Sequence, residues 1–107
     1  MDKTCEQVVM SIISSAGESK ARAFDALKRV KEGDYDGASE ALKESRELDL
    51  EAHEAQTALI TAELAGGDDR PELNLLLVHA QDHYMCAALA RDLIEALTEV
   101  FESKEEQ

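Results

Sequence analysis

The sequence predicts an all-α protein, an antiparallel three-helix bundle spanning residues 1–107 as one domain. Three observations predict it. Apolar residues recur at helical spacing in three long stretches, and two glycine-marked breaks separate those stretches. No segment alternates apolar and polar residues between turn signals, as a half-buried strand would.

The first helix is expected over about residues 4–32. Thr4-Cys5-Glu6-Gln7 has the spacing of a capping box, and Val8, Val9, Ile12, Ile13, Ala16, Ala23, Phe24, Leu27 and Val30 continue as an apolar stripe. Gly17 stands inside this helix at a cost of about 1 kcal/mol relative to alanine, which points to a local bend or a close helix contact. Gly33 is placed as the C-terminal cap, and Asp34 as the N-cap of a second helix over about 35–65. Its stripe is Ala38, Ala41, Leu42, Leu48, Ala52, Ala55 and Leu59. The segment GGDDRPE is the one clear loop. Pro71 suits a position just before or within the first turn of a third helix over about 73–102. A short connection at Gly33 makes the first two helices antiparallel, and a seven-residue loop lets the third fold back. The closing ESKEEQ reads as a solvated, frayed tail.

Composition narrows the partners. Asp and Glu number 24 against 11 Lys and Arg, a net charge of −13, so phosphate backbones and anionic lipid surfaces are repelled. Nucleic acid is excluded as a partner on that ground, and basic protein surfaces are expected. No apolar run reaches the roughly 20 residues of a membrane span, and MDKTCEQVV lacks the apolar core of a signal peptide, so a cytoplasmic location without membrane insertion is expected. Cys5 and Cys86 are far apart with no CxxC spacing, and both read as reduced packing residues.

The third helix is the unusual one. From Leu73 to Ala90 its plainly polar residues are Asn74, His79, Gln81, Asp82 and His83. A helix apolar nearly all round must be buried on several sides, and two companions cannot enclose it, so partner subunits are expected. His79, Asp82, Cys86, Leu89, Leu93, Ala96 and Val100 follow 3–4 spacing, which puts the histidine and the aspartate on one stripe facing inward or toward a subunit seam. His83 lies one step round. A carboxylate there is costly to desolvate, and copies of Asp82 gathered by symmetry would call for a hard divalent cation or for protonation. His79, His83 and Asp82 could instead hold a transition metal within one chain. His53, alone in LEAHEAQT, reads as a satisfied packing residue.

These residues carry a resemblance. NLLLVHAQDHYM, preceded by AGG and AHEAQTALI, together with IISSAGESKARAFDALKRVKEGDYDGA, resembles enzyme IIA of the lactose/cellobiose (diacetylchitobiose) class of the bacterial phosphoenolpyruvate:sugar phosphotransferase system, over almost the whole chain. The resemblance implies a homotrimer of nine helices and a phosphotransferase component that carries phosphate as a phosphohistidine on His79. It implies the carrier HPr as donor and a cysteine of a sugar-specific enzyme IIB as acceptor, in lactose/cellobiose-type uptake. It also implies one Mg²⁺ or similar cation per trimer, shared by Asp82 of three subunits. Gln81 and His83 are candidate helpers at the phosphoryl group. Tyr84, Cys86 and Pro71 depart from the family pattern, while His79-Ala80-Gln81-Asp82-His83 keeps it. Histidine suits the task because neutral imidazole is a nucleophile near pH 7 and the phosphorus–nitrogen bond stays labile, and transfer then depends mostly on in-line positioning. The alternative is a metal-binding helical oligomer with His79, Asp82 and His83 as ligands.

Overall fold

The structure is a computed structural model that describes residues 3–105, with side chains from residue 5 onward. It consists of helix α1 (Lys3–Lys31), helix α2 (Tyr35–Ala65) and helix α3 (Leu75–Glu105) in a rod 58 × 20 × 19 Å. Each bound lies within three residues of the expected one. The capping box expected at Thr4 falls outside the described side chains.

The turn between α1 and α2 is closed by backbone geometry. Gly33 adopts φ +77°, a left-handed conformation that side chains disfavour, and its N–H bonds Val30 O at 3.0 Å while the Asp34 N–H bonds Arg29 O at 2.9 Å. Asp34 then caps α2 by accepting from the Gly37 N–H at 2.9 Å. That N–H first, and then the Arg29 guanidinium at 3.3 Å, hold the Asp34 carboxyl below its usual value of 3.8. A depressed folded value means that the cap is at full strength above pH 3.8 and is lost as pH falls through that lowered value. In Asp34→Asn the amide oxygen caps without titrating. Thermal unfolding followed from roughly pH 5 down to 2 should therefore show the stability gap between variant and wild type changing over that window and constant above it.

Two clusters form the core and fix the helix directions. Val9 and Ile12 of α1 meet Leu59 of α2 and Ala80 of α3 at one end, and Ala23, Ala26 and Val30 meet Ala38, Ala41, Leu42 and Ile94 at the other. Helices α1 and α3 are thus parallel, with α2 antiparallel to both. The α1–α2 seam is lined by small residues. At its middle the Ser19 hydroxyl donates to Ser45 O at 2.8 Å, the Ser45 hydroxyl donates to Ser19 O at 2.8 Å, and both side chains are fully buried. Ser45→Ala removes one of these two donors from a dry site and should destabilise the chain by about 1–2 kcal/mol, read from urea unfolding at unchanged m-value.

The tail differs from expectation, because α3 stays helical through Glu105. Glu102, Lys104 and Glu105 are good helix formers, and the Tyr35 hydroxyl reaches Glu105 across the turn. Loss of water around that phenol, then this hydrogen bond, raise the Tyr35 pKa. Gly17 does not break α1, which runs through it without interruption.

Candidate functional site

Asn74, not Pro71, starts α3. Its side chain accepts from the Leu77 N–H at 2.9 Å, and its carbonyl accepts from the Val78 N–H at 3.1 Å, which moves the helix start from the expected Leu73 to Leu75. His79 therefore sits in the second turn, on a fully formed helix. Ala80, Ala87, Ile94 and Thr98 are the buried residues of α3 and mark its inward side. The opposite side carries Leu75, His79, Asp82, Cys86, Leu89, Leu93, Ala96 and Val100, spaced alternately by four and three, and all eight are exposed. The stripe that could have faced inward faces outward, a continuous apolar seam with one imidazole, one carboxylate and one thiol in it.

This seam is matched by a thin interior. Eight of the fourteen buried hydrophobic residues are alanines, whereas fourteen large hydrophobic residues are exposed, eight of them on α3. Large apolar side chains are thus more numerous among the exposed residues than among the fully buried ones, so much apolar surface is left for burial against a partner.

Around His79 the helix geometry separates the polar residues. At about 100° per residue, His83 lies about 40° to one side of His79 and Asp82 about 60° to the other. The two rings meet edge-on, with centroids 4.5 Å apart at 69°. Asp82 turns toward the seam, where the Cys86 Sγ approaches its Oδ1 at 3.8 Å. Among the described residues, no group of three or more His, Cys, Asp and Glu is placed to hold a metal ion. The single-chain site of His79, Asp82 and His83 is corrected accordingly, because the helix brings the two rings together but turns the Asp82 carboxylate to the other side.

Gln81 is two residues from His79, about 200° round the helix, and its side chain accepts from the Gln56 Nε2 of α2. It cannot reach the ring of its own chain. Gln56 and Gln81 are one rung of a polar ladder between α2 and α3. His53 Nδ1 and the Tyr84 hydroxyl lie 2.9 Å apart, Arg91 Nη1 and Asp49 Oδ2 2.8 Å apart, and Arg46 Nη1 and Glu95 Oε2 3.0 Å apart. Loss of water, then the Asp49 charge, raise the Tyr84 phenol, with Arg91 opposing. Burial works against the Arg91 charge, and its bonds to Asp49 and Asp92 more than offset that, so its pKa is raised. His53, expected as a packing residue, is exposed and held at this ladder, and Cys86 is a seam residue instead of a buried one. Asp49, Gln56 and Arg91 escaped sequence reasoning because partners 25 to 42 residues apart leave no local spacing to read.

Three helices present an imidazole on an open apolar seam, where the ring lies in the open and within reach of a partner protein. The chain belongs to the IIA subunits of the sugar phosphotransferase system: the family described as "PTS system, Lactose/Cellobiose specific IIA subunit" matches residues 7–102. It is similar to the N,N'-diacetylchitobiose-specific EIIA component of Escherichia coli K12, 42% identical over 97 residues that cover 91% of this chain and 82% of that one. It superimposes on the cellobiose-specific enzyme IIA from Bacillus anthracis with a TM-score of 0.91 at 34% identity, covering 100% of this chain and 96% of the other. The chitobiose IIA of Escherichia coli, solved in complex with HPr, gives a TM-score of 0.81 at 38% identity, with 98% and 99% of the two chains covered. The expected all-α fold and family are confirmed, and the chain is a phosphotransferase-system component. No helix among the described residues is long and apolar enough to cross a membrane.

Proposed function

We propose that this chain is a cytoplasmic phosphocarrier in which His79 takes a phosphoryl group from the phosphohistidine of HPr and hands it to a cysteine of a sugar-specific enzyme IIB. The observation that carries the reading is the exposed imidazole of His79, edge-on to His83, in a helix of the IIA family. A lone pair of the His79 ring attacks phosphorus as the phosphorus–nitrogen bond of the donor breaks, and the donor imidazole retains that electron pair. In the second step a cysteine thiolate attacks the same phosphorus, and the bond to His79 breaks. The Escherichia coli relative is solved as a complex with HPr, which supports HPr as the donor here. His83, touching the ring, orients it.

The exposed seam of α3 is the trimer contact. Heptad spacing at Leu75, His79, Asp82, Cys86, Leu89, Leu93, Ala96 and Val100 is the pattern that packs parallel helices about a common axis. Three Asp82 carboxylates then converge, and their oxygen donors suit Mg²⁺ or a similar hard cation, whose charge offsets their repulsion. In such an assembly Gln81 can assist only a neighbouring subunit's His79. Incubation with phosphoenolpyruvate, enzyme I and HPr tests the function: acid-labile phosphate mapped to His79 supports it, and a folded wild-type chain that stays unlabelled rejects it.

A further inference from the structure

Packing within the chain does not account for Cys86. A cysteine kept for packing behaves as a small buried hydrophobe, yet Cys86 is exposed on the outward stripe of α3 while the next residue, Ala87, is buried. It stands four residues after Asp82 on the same helix face, and its Sγ approaches the Asp82 Oδ1 at 3.8 Å. It is also one of the positions at which the chain departs from the family pattern.

That separation is close to what two ligands of one ion require. Zinc holds a thiolate sulfur at about 2.3 Å and a carboxylate oxygen at about 2.1 Å, which at a tetrahedral angle places the two donors about 3.6 Å apart. One chain supplies only this pair, and among the described residues no third His, Cys, Asp or Glu joins it to hold an ion. Three chains packed along the α3 seam bring three such pairs to one axis, as a carboxylate layer with a thiol layer beside it. Leu75, Leu89 and Leu93 of the same seam surround these layers with apolar side chains. The gathered carboxylates need a cation, and the softness of the donors beside them selects which cation it is.

We infer that Cys86 is a second protein ligand to the cation shared at Asp82, and that it makes the site of the trimer one for zinc or a similar thiol-seeking divalent ion. This rests on the trimer with its shared ion. The ion lies on the threefold axis between the two layers. Each coordinating thiol releases its proton to water as its sulfur donates a lone pair to the metal. Two donors from each of three subunits exceed the four that zinc takes, so sulfur fills positions that carboxylates alone would leave to water. Magnesium gains nothing from the thiol, because it takes hard oxygen ligands and gives up its waters reluctantly.

The test titrates the purified protein, kept reduced by a phosphine, with Mg²⁺, Zn²⁺ and Cd²⁺ while its mass is followed by sedimentation. Expected is one Zn²⁺ or Cd²⁺ per trimer, held against about a hundredfold excess of Mg²⁺, with a near-ultraviolet thiolate-to-cadmium band that saturates at the same ratio. Cys86→Ser should keep the trimer mass, lose the band and bind zinc about 100-fold more weakly, whereas Cys5→Ser should keep band and affinity. A band of full strength in Cys86→Ser, or cadmium bound by the wild type without a band, overturns the inference and leaves the carboxylate site standing. A wild type that stays monomeric, or that binds none of the three ions, overturns the shared-ion reading and this inference with it, before any variant is made. Should Cys86→Ser fail to assemble, alkylation of the wild type carries the test. Zinc should shield Cys86 from iodoacetamide, read by peptide mass, and magnesium should not; equal alkylation with either ion overturns the inference.

Discussion

Replacing His79 by glutamine is expected to abolish phosphoryl acceptance from phospho-HPr, a loss on the order of 10⁴-fold or more, as removal of a nucleophile produces. The fold should not notice. The ring is exposed, its contact is with the neighbouring His83 of its own helix, and surface replacements of this kind stay within about 0.5 kcal/mol. Acid-labile radiolabel and the thermal unfolding curve, read on the same sample, separate the two effects. His83→Gln should give the contrasting result, with label still acquired but more slowly, because the edge-on ring orients the nucleophile without being it. Label retained in His79→Gln would transfer the acceptor role to another residue.

A second large effect is expected on assembly, with opposite signs at two positions of one stripe. Leu93→Asp puts a carboxylate into the centre of the α3 seam, where it loses water without gaining a partner, at several kcal/mol per chain. The trimer should fall to the 11.8 kDa subunit mass in sedimentation equilibrium. Asp82→Leu does the reverse: it removes three gathered charges, extends the leucine layers and should hold the threefold mass to lower concentration than wild type. On the proposal that the carboxylates share a cation, a chelator should weaken wild-type assembly and leave Asp82→Leu untouched. Indifference of the wild type to chelator, with no metal found in the purified trimer, would remove the shared ion from the account.

The residues differ in how far their roles could be read from the sequence. Asp34, Gly33 and the three periodic stretches could be read within a few residues of themselves, since a cap or a left-handed glycine acts on the turn it belongs to. Asn74 carried the same kind of signal, but Pro71 in the loop ahead drew the expected start two residues early. The His79–Asp82–His83 cluster was legible as a motif. Its geometry was not, because i to i+4 spacing brings the two rings together while turning Asp82 the other way. Gln81 was the instructive case: helical spacing alone turns it about 200° from its own histidine, and its rung with Gln56, 25 residues distant, shows what it meets there.

What the sequence by itself determined is the three helices, their two breaks and the presence of apolar residues on more than one side of the third. Only the tertiary structure decided which side of α3 is inner. Both Ala80–Ala87–Ile94 and Leu75–Leu89–Leu93 could have packed on α1 and α2, and local spacing does not choose between them. The alanine side packs inside, where α1 and α2 present alanines and serines and the helix backbones can approach closely. The leucine side is left outward with His79 among its residues. That outcome depends on matching surfaces formed by residues far apart along the chain.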